Sequence, residues 1–140
     1  MSAILGSVVG GSATIATAWL TQRTEGRRAA IDAEIRKREQ LYAEFISEGA
    51  KLLVEGLERD FESPAHLYPL HAILNRIRLR SSEAVLAAAE TSATQIAEQF
   101  LDPKVSGEEL RKIVLTRPHD PLKQFSEACR LELQQLQSSL

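Results

Sequence analysis

The spacing of hydrophobic positions changes along this chain, and the first stretch predicts a helix in a membrane. The run from Ala3 to Leu20 has no charged residue, His, Asn or Gln over about 18 residues, near the lower limit for a membrane-spanning helix. As a helix it would be roughly 27 Å long, slightly less than a hydrocarbon core of about 30 Å. Trp19 lies near its end, where an indole meets lipid headgroups. We therefore predict a single-pass transmembrane anchor in residues 1–22.

Small residues within the anchor recur at a spacing of four. Gly6 and Gly10, Ser7 and Gly11, and Gly10 and Thr14 are such pairs. A face of small residues lets two helix backbones approach closely in lipid. The predicted partners are therefore membrane lipid and another helix, either in a homo-oligomer or in a larger membrane complex. The predicted helix–helix interaction residues are Gly6, Ser7, Gly10, Gly11 and Thr14.

Basic residues follow the anchor, and no Lys or Arg precedes it. Arg23, Arg27 and Arg28 form a collar directly after the uncharged run. The positive-inside rule then places the C-terminal part in the cytoplasm and the N-terminus outside. Together with Trp19, these arginines are the predicted membrane-interface anchors, held at an anionic leaflet.

Two other interpretations of the first 20 residues stay open. Ala16-Thr17-Ala18 resembles the cleavage site of a signal peptide, but the basic segment that should precede the apolar run is missing. The arginines after the run also oppose export of that flank. Alternatively, the run is a buried helix of a soluble bundle. A short apolar run does not distinguish a membrane helix from a buried helix.

The next segment, residues 23–40, predicts a basic juxtamembrane stalk. It has few apolar residues and carries the i,i+4 pairs Asp32–Arg36 and Glu34–Arg38, in the order that stabilises a helix. From residue 41 onward apolar residues recur every three or four positions, so packing is predicted to begin there. Gly49 and Gly56, on or beside this face, would admit a close neighbour. The apolar face consists of Leu41, Phe45, Leu52, Leu53 and Leu57.

Capping signals then divide the chain into further helices. Ser63-Pro64 predicts a helix start, with a bend near Tyr68 because Pro69 follows too soon for one regular helix. That helix is predicted to end at about Arg80, and Ser81 or Ser82 caps the next one.

The last third of the chain predicts two more helices. Ser106 and Glu109 form a capping box for a short helix through Leu115, and Asp120-Pro121 opens the final one. The pattern predicts no strand. The fold class is therefore all-α: a transmembrane helix, a stalk, and a four- to five-helix bundle over residues 41–140. The apolar stripe of the final helix consists of Leu122, Phe125, Cys129, Leu133 and Leu136.

Composition and charge limit the possible functions. A chain of 140 residues with 44% hydrophobic and 26% charged residues is about one folded domain. Its net charge of −2 argues against a protein built around a polyanion. The basic clusters at 35–38 and 76–80 have no alternating aromatic residues, which argues against nucleic acid as a partner.

No pattern of residues predicts a reaction. His66 and His71 are five apart, about 140° around a helix, so they do not share a face as metal ligands would. Cys129 falls on an apolar stripe, which is typical of a core residue rather than a nucleophile. We predict no catalytic, cofactor-binding or metal-binding residue.

Three stretches also carry a resemblance: GGSATIATAWLTQRTEGRR, EIRKREQLYAEFI and LNRIRLRSSEAVL. The chain resembles a group of short, uncharacterised bacterial single-pass membrane proteins, whose apolar segment ends in a similar Trp-x-Thr-Gln-Arg junction. The resemblance implies a body plan and a place in a bacterial inner membrane. It transfers no activity and no site residue.

These observations predict a membrane-anchored, non-catalytic helical interaction protein or accessory subunit. The alternative is a soluble cytoplasmic regulator with its N-terminal helix in the core of the bundle. A third option is an enzyme with an unrecognised site, which a polar pocket joining Tyr68, His71 and Asn75 would favour.

Overall fold

Helices make up nearly all of the described backbone, which confirms the all-α class. A computed structural model describes residues 3–58, 63–101 and 120–139, with side chains over 14–56, 63–101 and 120–139. Within these ranges there are four α-helices, one 3-10 turn at Pro64–Leu67, and no strand. The helices are α1 (Ala3–Glu58), α2 (Tyr68–Arg80), α3 (Glu83–Leu101) and α4 (Lys123–Ser138).

Helix α1 joins the predicted anchor, stalk and first bundle helix without a break. It has 56 residues and is therefore about 84 Å long. By comparison, α3 has 19 residues, or about 28 Å. The other helices are thus too short to cover α1 along its whole length.

The predicted starts of α2 and α3 are confirmed, because both depend on local capping. The Ser63 hydroxyl accepts a hydrogen bond from the Ala65 amide at 3.3 Å, and the 3-10 turn gives way to α2 at Tyr68. A bend or a restart was expected near Tyr68, and the change of helix type there is the restart. The Ser82 hydroxyl likewise accepts from the Val85 amide at 3.4 Å, at the start of α3.

Helix α4 begins as its sequence predicts. An Asp120 side-chain oxygen accepts from the Leu122 amide at 3.0 Å, and a turn through Pro121 leads into the helix at Lys123. The predicted short helix of Ser106 to Leu115 lies outside the described residues.

The second half of α1 forms an up-down-up-down bundle with the other three helices. Arg76 and Arg80 of α2 contact Glu44 and Glu34 of α1, so α2 runs antiparallel to α1. Consecutive helices are expected to be antiparallel where the connections between them are short.

The remaining two helices follow the same alternation. A Cβ at Gly49 of α1 would lie 2.9 Å from Ile96 of α3 and 3.1 Å from Leu122 of α4, while one at Gly56 would lie 3.2 Å from the Cα of Phe100. Helix α3 is therefore parallel to α1, and the predicted close approach at both glycines is confirmed.

Aromatic rings occupy the centre of the bundle. Phe45 and Phe125 are fully buried, with ring centroids 4.4 Å apart, and Tyr42 meets Phe125 edge-on at 5.8 Å. Fully burying one such side chain stabilises a fold by roughly 1.5–3 kcal/mol. The buried apolar core consists of Leu41, Tyr42, Phe45, Leu52, Leu70, Ile73, Ile77, Val85, Ala89, Ile96, Phe100, Leu122, Phe125 and Cys129.

Packing on α1 starts at Ile31, inside the segment predicted as stalk. Every residue from 14 to 30 is exposed, and we call this part of α1 the arm. Of the helices that the structure describes, none is both long enough and apolar enough to span a membrane. The transmembrane helix therefore stays a prediction.

Candidate functional site: the arm and a buried ion network

The arm presents large apolar side chains that nothing in the described part of the chain covers. Ile15 is 72% exposed, Trp19 59% and Leu20 58%. Burying a side chain of this kind is worth roughly 1.5–3 kcal/mol, so the free arm forgoes several kcal/mol. A partner or a lipid phase that covered it would recover that energy.

The predicted interaction residues lie partly on the arm. Thr14 is exposed there. Gly6, Ser7, Gly10 and Gly11 belong to the helical backbone of α1, but their surroundings lie outside the described side chains.

A shallow depression along the arm is lined by Thr14, Thr17, Ala18, Thr21 and Gln22, so small residues continue past Thr14 as far as Thr21, with one larger amide side chain beside them. Ile15 lies about 100° around the helix from Thr14, so bulky and small side chains occupy different sides.

Threonine hydroxyls on the arm satisfy their hydrogen bonds within the helix. Thr21 donates to the carbonyl of Thr17, and Thr24 donates to the carbonyl of Leu20, each at 2.9 Å. The same bond occurs in the bundle, where Thr91 and Thr94 of α3 donate to carbonyls four residues earlier, so it is a general property of threonines in these helices. These hydroxyls do not depend on water.

The predicted interface anchors come together at the base of the arm. The guanidinium of Arg23 lies 5.5 Å from the ring centroid of Trp19, a cation–π contact. Arg27 and Arg28 are exposed and line a cleft of about 260 Å³ with Arg23, Thr24, Ile31 and Ser139. Ser139 directly follows α4, so the cleft lies between α1 and the end of α4.

Below the arm, a buried carboxylate links three helices. Glu132 of α4 is 6% exposed. One of its oxygens accepts from Arg38 at 2.9 Å and from the Ser82 amide at 2.6 Å, and the other accepts from the Tyr42 hydroxyl. The Ser81 hydroxyl in turn lies 2.8 Å from the Tyr42 oxygen. A buried charge with this many partners is stable because its lost hydration is replaced.

The network continues to the surface through Arg38. Its Nε donates to Glu34 at 3.0 Å, which confirms the predicted i,i+4 pair, and Arg80 of α2 meets the same carboxylate at 3.2 Å. The hydrogen bond from Arg38 lowers the pKa of Glu34. Burial acts to lower the pKa of Arg38, but Glu34 and Glu132 outweigh it, and the pKa is raised.

The other predicted pair of the stalk is different. The Nε of Arg36 donates to the main-chain carbonyl of Asp32 at 3.4 Å rather than to its carboxylate. A long guanidinium side chain reaches the carbonyl four residues earlier without ordering a second side chain, which saves conformational entropy. This part of the predicted pairing was wrong.

The groups around Glu132 are held in their protonated forms. Burial, followed by the hydrogen bond to Glu132, raises the pKa of Tyr42. Burial and the charge of Glu132 raise the pKa of Cys129 to about 12. A thiol that stays protonated at neutral pH is a poor nucleophile. Cys129 therefore packs in the core, as predicted.

Glu132 is the residue that sequence reasoning missed. The stripe of α4 passes through Phe125, Cys129 and position 132, whereas the predicted stripe used Leu133, which is only partly buried. The spacing of 125, 129 and 132 was visible in the sequence. Its partners, 90 and 94 residues earlier, were not.

His71 and the polar residues near it on α2 lie on the surface of the helix. Asn75 lies 3.2 Å from His71 one turn away on the same helix, and Tyr68 is 70% exposed. These three side chains therefore do not enclose a pocket. Among the described residues, no cluster of three or more His, Cys, Asp or Glu side chains could hold a metal ion.

The second basic cluster of the sequence is used in ion pairs. Arg76 pairs with Glu44 at 2.5 Å, Arg78 with Glu90 at 3.2 Å, and Arg80 with Glu34. Their positive charges are locally balanced, which argues further against a nucleic-acid surface.

Comparison with protein-family models, curated proteins and solved structures gives no match to this chain. The resemblance to bacterial single-pass membrane proteins therefore stays a prediction.

Proposed function

We propose that the chain is a membrane-tethered, non-catalytic helical interaction module. In this proposal the N-terminal part of α1 crosses the bacterial inner membrane, and the bundle lies on the cytoplasmic side. The observation that carries the proposal is the arm, where every residue from 14 to 30 is exposed although Ile15, Trp19 and Leu20 are large and apolar.

The order of side chains along the arm supports a membrane interface. Uncharged residues come first, then Trp19, then Arg23 stacked on it, then two more arginines. Aromatic rings prefer the headgroup level, and arginines prefer the cytoplasmic side of it.

The soluble alternative places the N-terminal helix in the core of the bundle. The exposure of residues 14–30 weighs against it, because the core is built from α1 residues further along, from Leu41 to Leu52. Among the described residues, neither His71 on the surface of α2 nor the buried thiol of Cys129 supports the enzyme option. We therefore keep the membrane module as the function that the described residues support best.

Association through the small-residue face is the finer part of the proposal. Gly10→Ile and Gly11→Ile are expected to weaken self-association, or co-purification of a partner, by about 1–2 kcal/mol each, because a side chain would separate the two backbones. A membrane two-hybrid reporter measures association, and a membrane fraction from the same cells measures insertion. Insertion should be unchanged or improved, since Ile is more apolar than Gly.

Ser12→Ile is the matched control. Position 12 lies about 200° around the helix from Gly10, so the same increase in size falls on the opposite side. It should leave association unchanged. If all three variants associate as strongly as the wild-type chain, the segment is only a tether, and the interaction part of the proposal is wrong.

A further inference from the structure

The arginines at the base of the arm differ from those of the bundle in their partners. Arg38, Arg76 and Arg80 each contact a carboxylate within 3.2 Å. No ion pair joins Arg27 or Arg28 to a carboxylate of the described residues, although Glu25 and Asp32 lie within about one turn of Arg28 on the same helix. With Arg23 one turn before Arg27, the three arginines still leave the base of the arm with a net positive charge.

These arginines also line a defined space. The cleft of about 260 Å³ has α1 on one side and Ser139, at the end of α4, on the other. Arginine presents a planar fork of donors that matches the oxygens of a phosphate group. The hydroxyls of Thr24 and Ser139 at the same place donate to the main-chain carbonyls of Leu20 and Leu136, so the guanidiniums supply the donors of the cleft. The chemistry of the lining therefore fits a phosphate group.

The position of the cleft relates it to the membrane surface. Arg27 lies seven residues after Leu20, or about 10 Å along the helix. Side chains of a helix lean toward its N-terminus, which for these arginines is the direction of the uncharged run. The headgroup layer extends roughly 5–8 Å beyond the hydrocarbon core, so guanidiniums at this height reach lipid phosphates.

We propose that the cleft lined by Arg23, Arg27, Arg28 and Ser139 binds the phosphate group of an anionic phospholipid whose headgroup carries no cation. This rests on the proposed membrane tether. Zwitterionic lipids have a phosphate too, but their ammonium group is repelled by three guanidiniums. The cleft therefore distinguishes the two kinds of lipid by repelling the ammonium group, because both kinds carry a phosphate.

Trp19 reports on this site directly. It is the chain's single tryptophan and is in contact with Arg23. The full-length chain is reconstituted in phosphatidylcholine vesicles containing a minor fraction of phosphatidylglycerol. Two preparations are compared: in one the phosphatidylglycerol carries brominated acyl chains, and in the other the phosphatidylcholine does. Brominated chains quench tryptophan fluorescence on contact. The ratio of the two quenching efficiencies gives the enrichment of phosphatidylglycerol beside Trp19.

The wild-type chain should enrich phosphatidylglycerol, and Arg27→Gln/Arg28→Gln should lower the enrichment by about fivefold for each arginine removed. Ser139→Glu should lower it as well, because the new carboxylate enters the cleft. Gln137→Glu is the matched control: it adds the same charge near the end of α4, away from the lining residues, and should change nothing. Inorganic phosphate at matched ionic strength should leave the enrichment unchanged.

The outcomes separate this inference from the proposed function. Quenching by neither lipid would mean that Trp19 does not reach a bilayer, and the tether itself would fail. Equal quenching by both lipids in the wild-type chain overturns the cleft but keeps the tether. If Ser139→Glu and Gln137→Glu lower the enrichment equally, the anionic lipid is attracted by the overall charge of this region and is not bound in the cleft. Loss of enrichment in inorganic phosphate would assign the cleft to a free anion instead of a lipid.

Discussion

At the scale of single residues, Glu132 is the one charged side chain that is buried among the described residues. Its carboxylate is buried and joins α4 to Arg38 and Tyr42 of α1 and to the amide of Ser82. That amide lies at the start of α3, where the helix macrodipole favours negative charge. One side chain therefore holds three helices at the end of the bundle nearest the arm.

Glu132→Gln should destabilise the bundle by about 2–3 kcal/mol, because it leaves Arg38 partly buried with one carboxylate fewer. Urea denaturation of the full chain, followed by circular dichroism, measures the change. Glu127→Gln is the matched control, an exposed residue of the same helix, and should stay within about 0.5 kcal/mol of the wild type. Equal effects of the two substitutions would show that the network adds no stability.

Burial of Cys129 makes stability depend on pH in the alkaline range. The pKa of Cys129 rises from its ordinary 9.0 to about 12, so above pH 9 the unfolded chain releases a proton that the folded chain keeps. The contribution is complete below pH 9 and is lost as pH rises toward 12. The free energy of unfolding should therefore fall over this range. Cys129→Ala should flatten the fall, although Tyr42 continues to contribute. An identical slope in the variant would contradict this account.

How far the sequence predicts these residues depends on the distance to their partners. Glu34 and Arg38 lie four residues apart, so their pairing follows from helix geometry. Glu132 lies 90 residues from Tyr42, and its burial requires the register of α4 on α1. Local spacing shows that a residue lies on the buried face of a helix. The partner that stabilises a buried charge at that position is known only from how the helices pack together.

At the scale of elements, two glycines set how closely α1 packs. The α1–α3 distance allows no Cβ at Gly56 without contact to the backbone of Phe100, and Gly49 faces both Ile96 and Leu122. Glycine costs about 1 kcal/mol of helix propensity relative to alanine, so its presence inside a helix needs a packing reason. Here the reason is the close approach of α3 and α4.

Gly49→Leu should destabilise the bundle by about 2 kcal/mol or more, because overpacking a well-filled interior outweighs the better helix propensity of leucine. Gly26→Leu is the matched control, since a Cβ there would meet nothing within 4 Å. It should leave the unfolding midpoint unchanged or raise it slightly, because leucine has the better helix propensity and meets no neighbour there. Thermal unfolding of both variants by circular dichroism decides the point. A stable Gly49→Leu chain would contradict the close packing.

Element boundaries were predictable where a cap is local. Ser63, Ser82 and Asp120 each bond to an amide two or three residues away, and the helices begin beside them. The continuity of α1 at Gly26 was less evident, because an exposed glycine in a basic segment looks the same in a helix and in a turn. The start of packing at Ile31 likewise depends on how far α4 extends beside α1.

At the scale of the whole molecule, helix α1 is exposed in one part and buried in another. The second half of α1 is a core element of the bundle, and the first part extends beyond it as the arm. The helix is continuous from residue 3 to residue 58, so a single element connects the arm to the bundle.

The central claim is that residues 3–20 cross the inner membrane with the bundle on the cytoplasmic side, and its most direct measurement is topology in living bacteria. A reporter that is active only in the cytoplasm is fused after Leu140, and its activity is assayed in membrane and supernatant fractions prepared without detergent. The account predicts an active reporter that sediments with the membranes. An inactive reporter, or an active one in the supernatant, would contradict it.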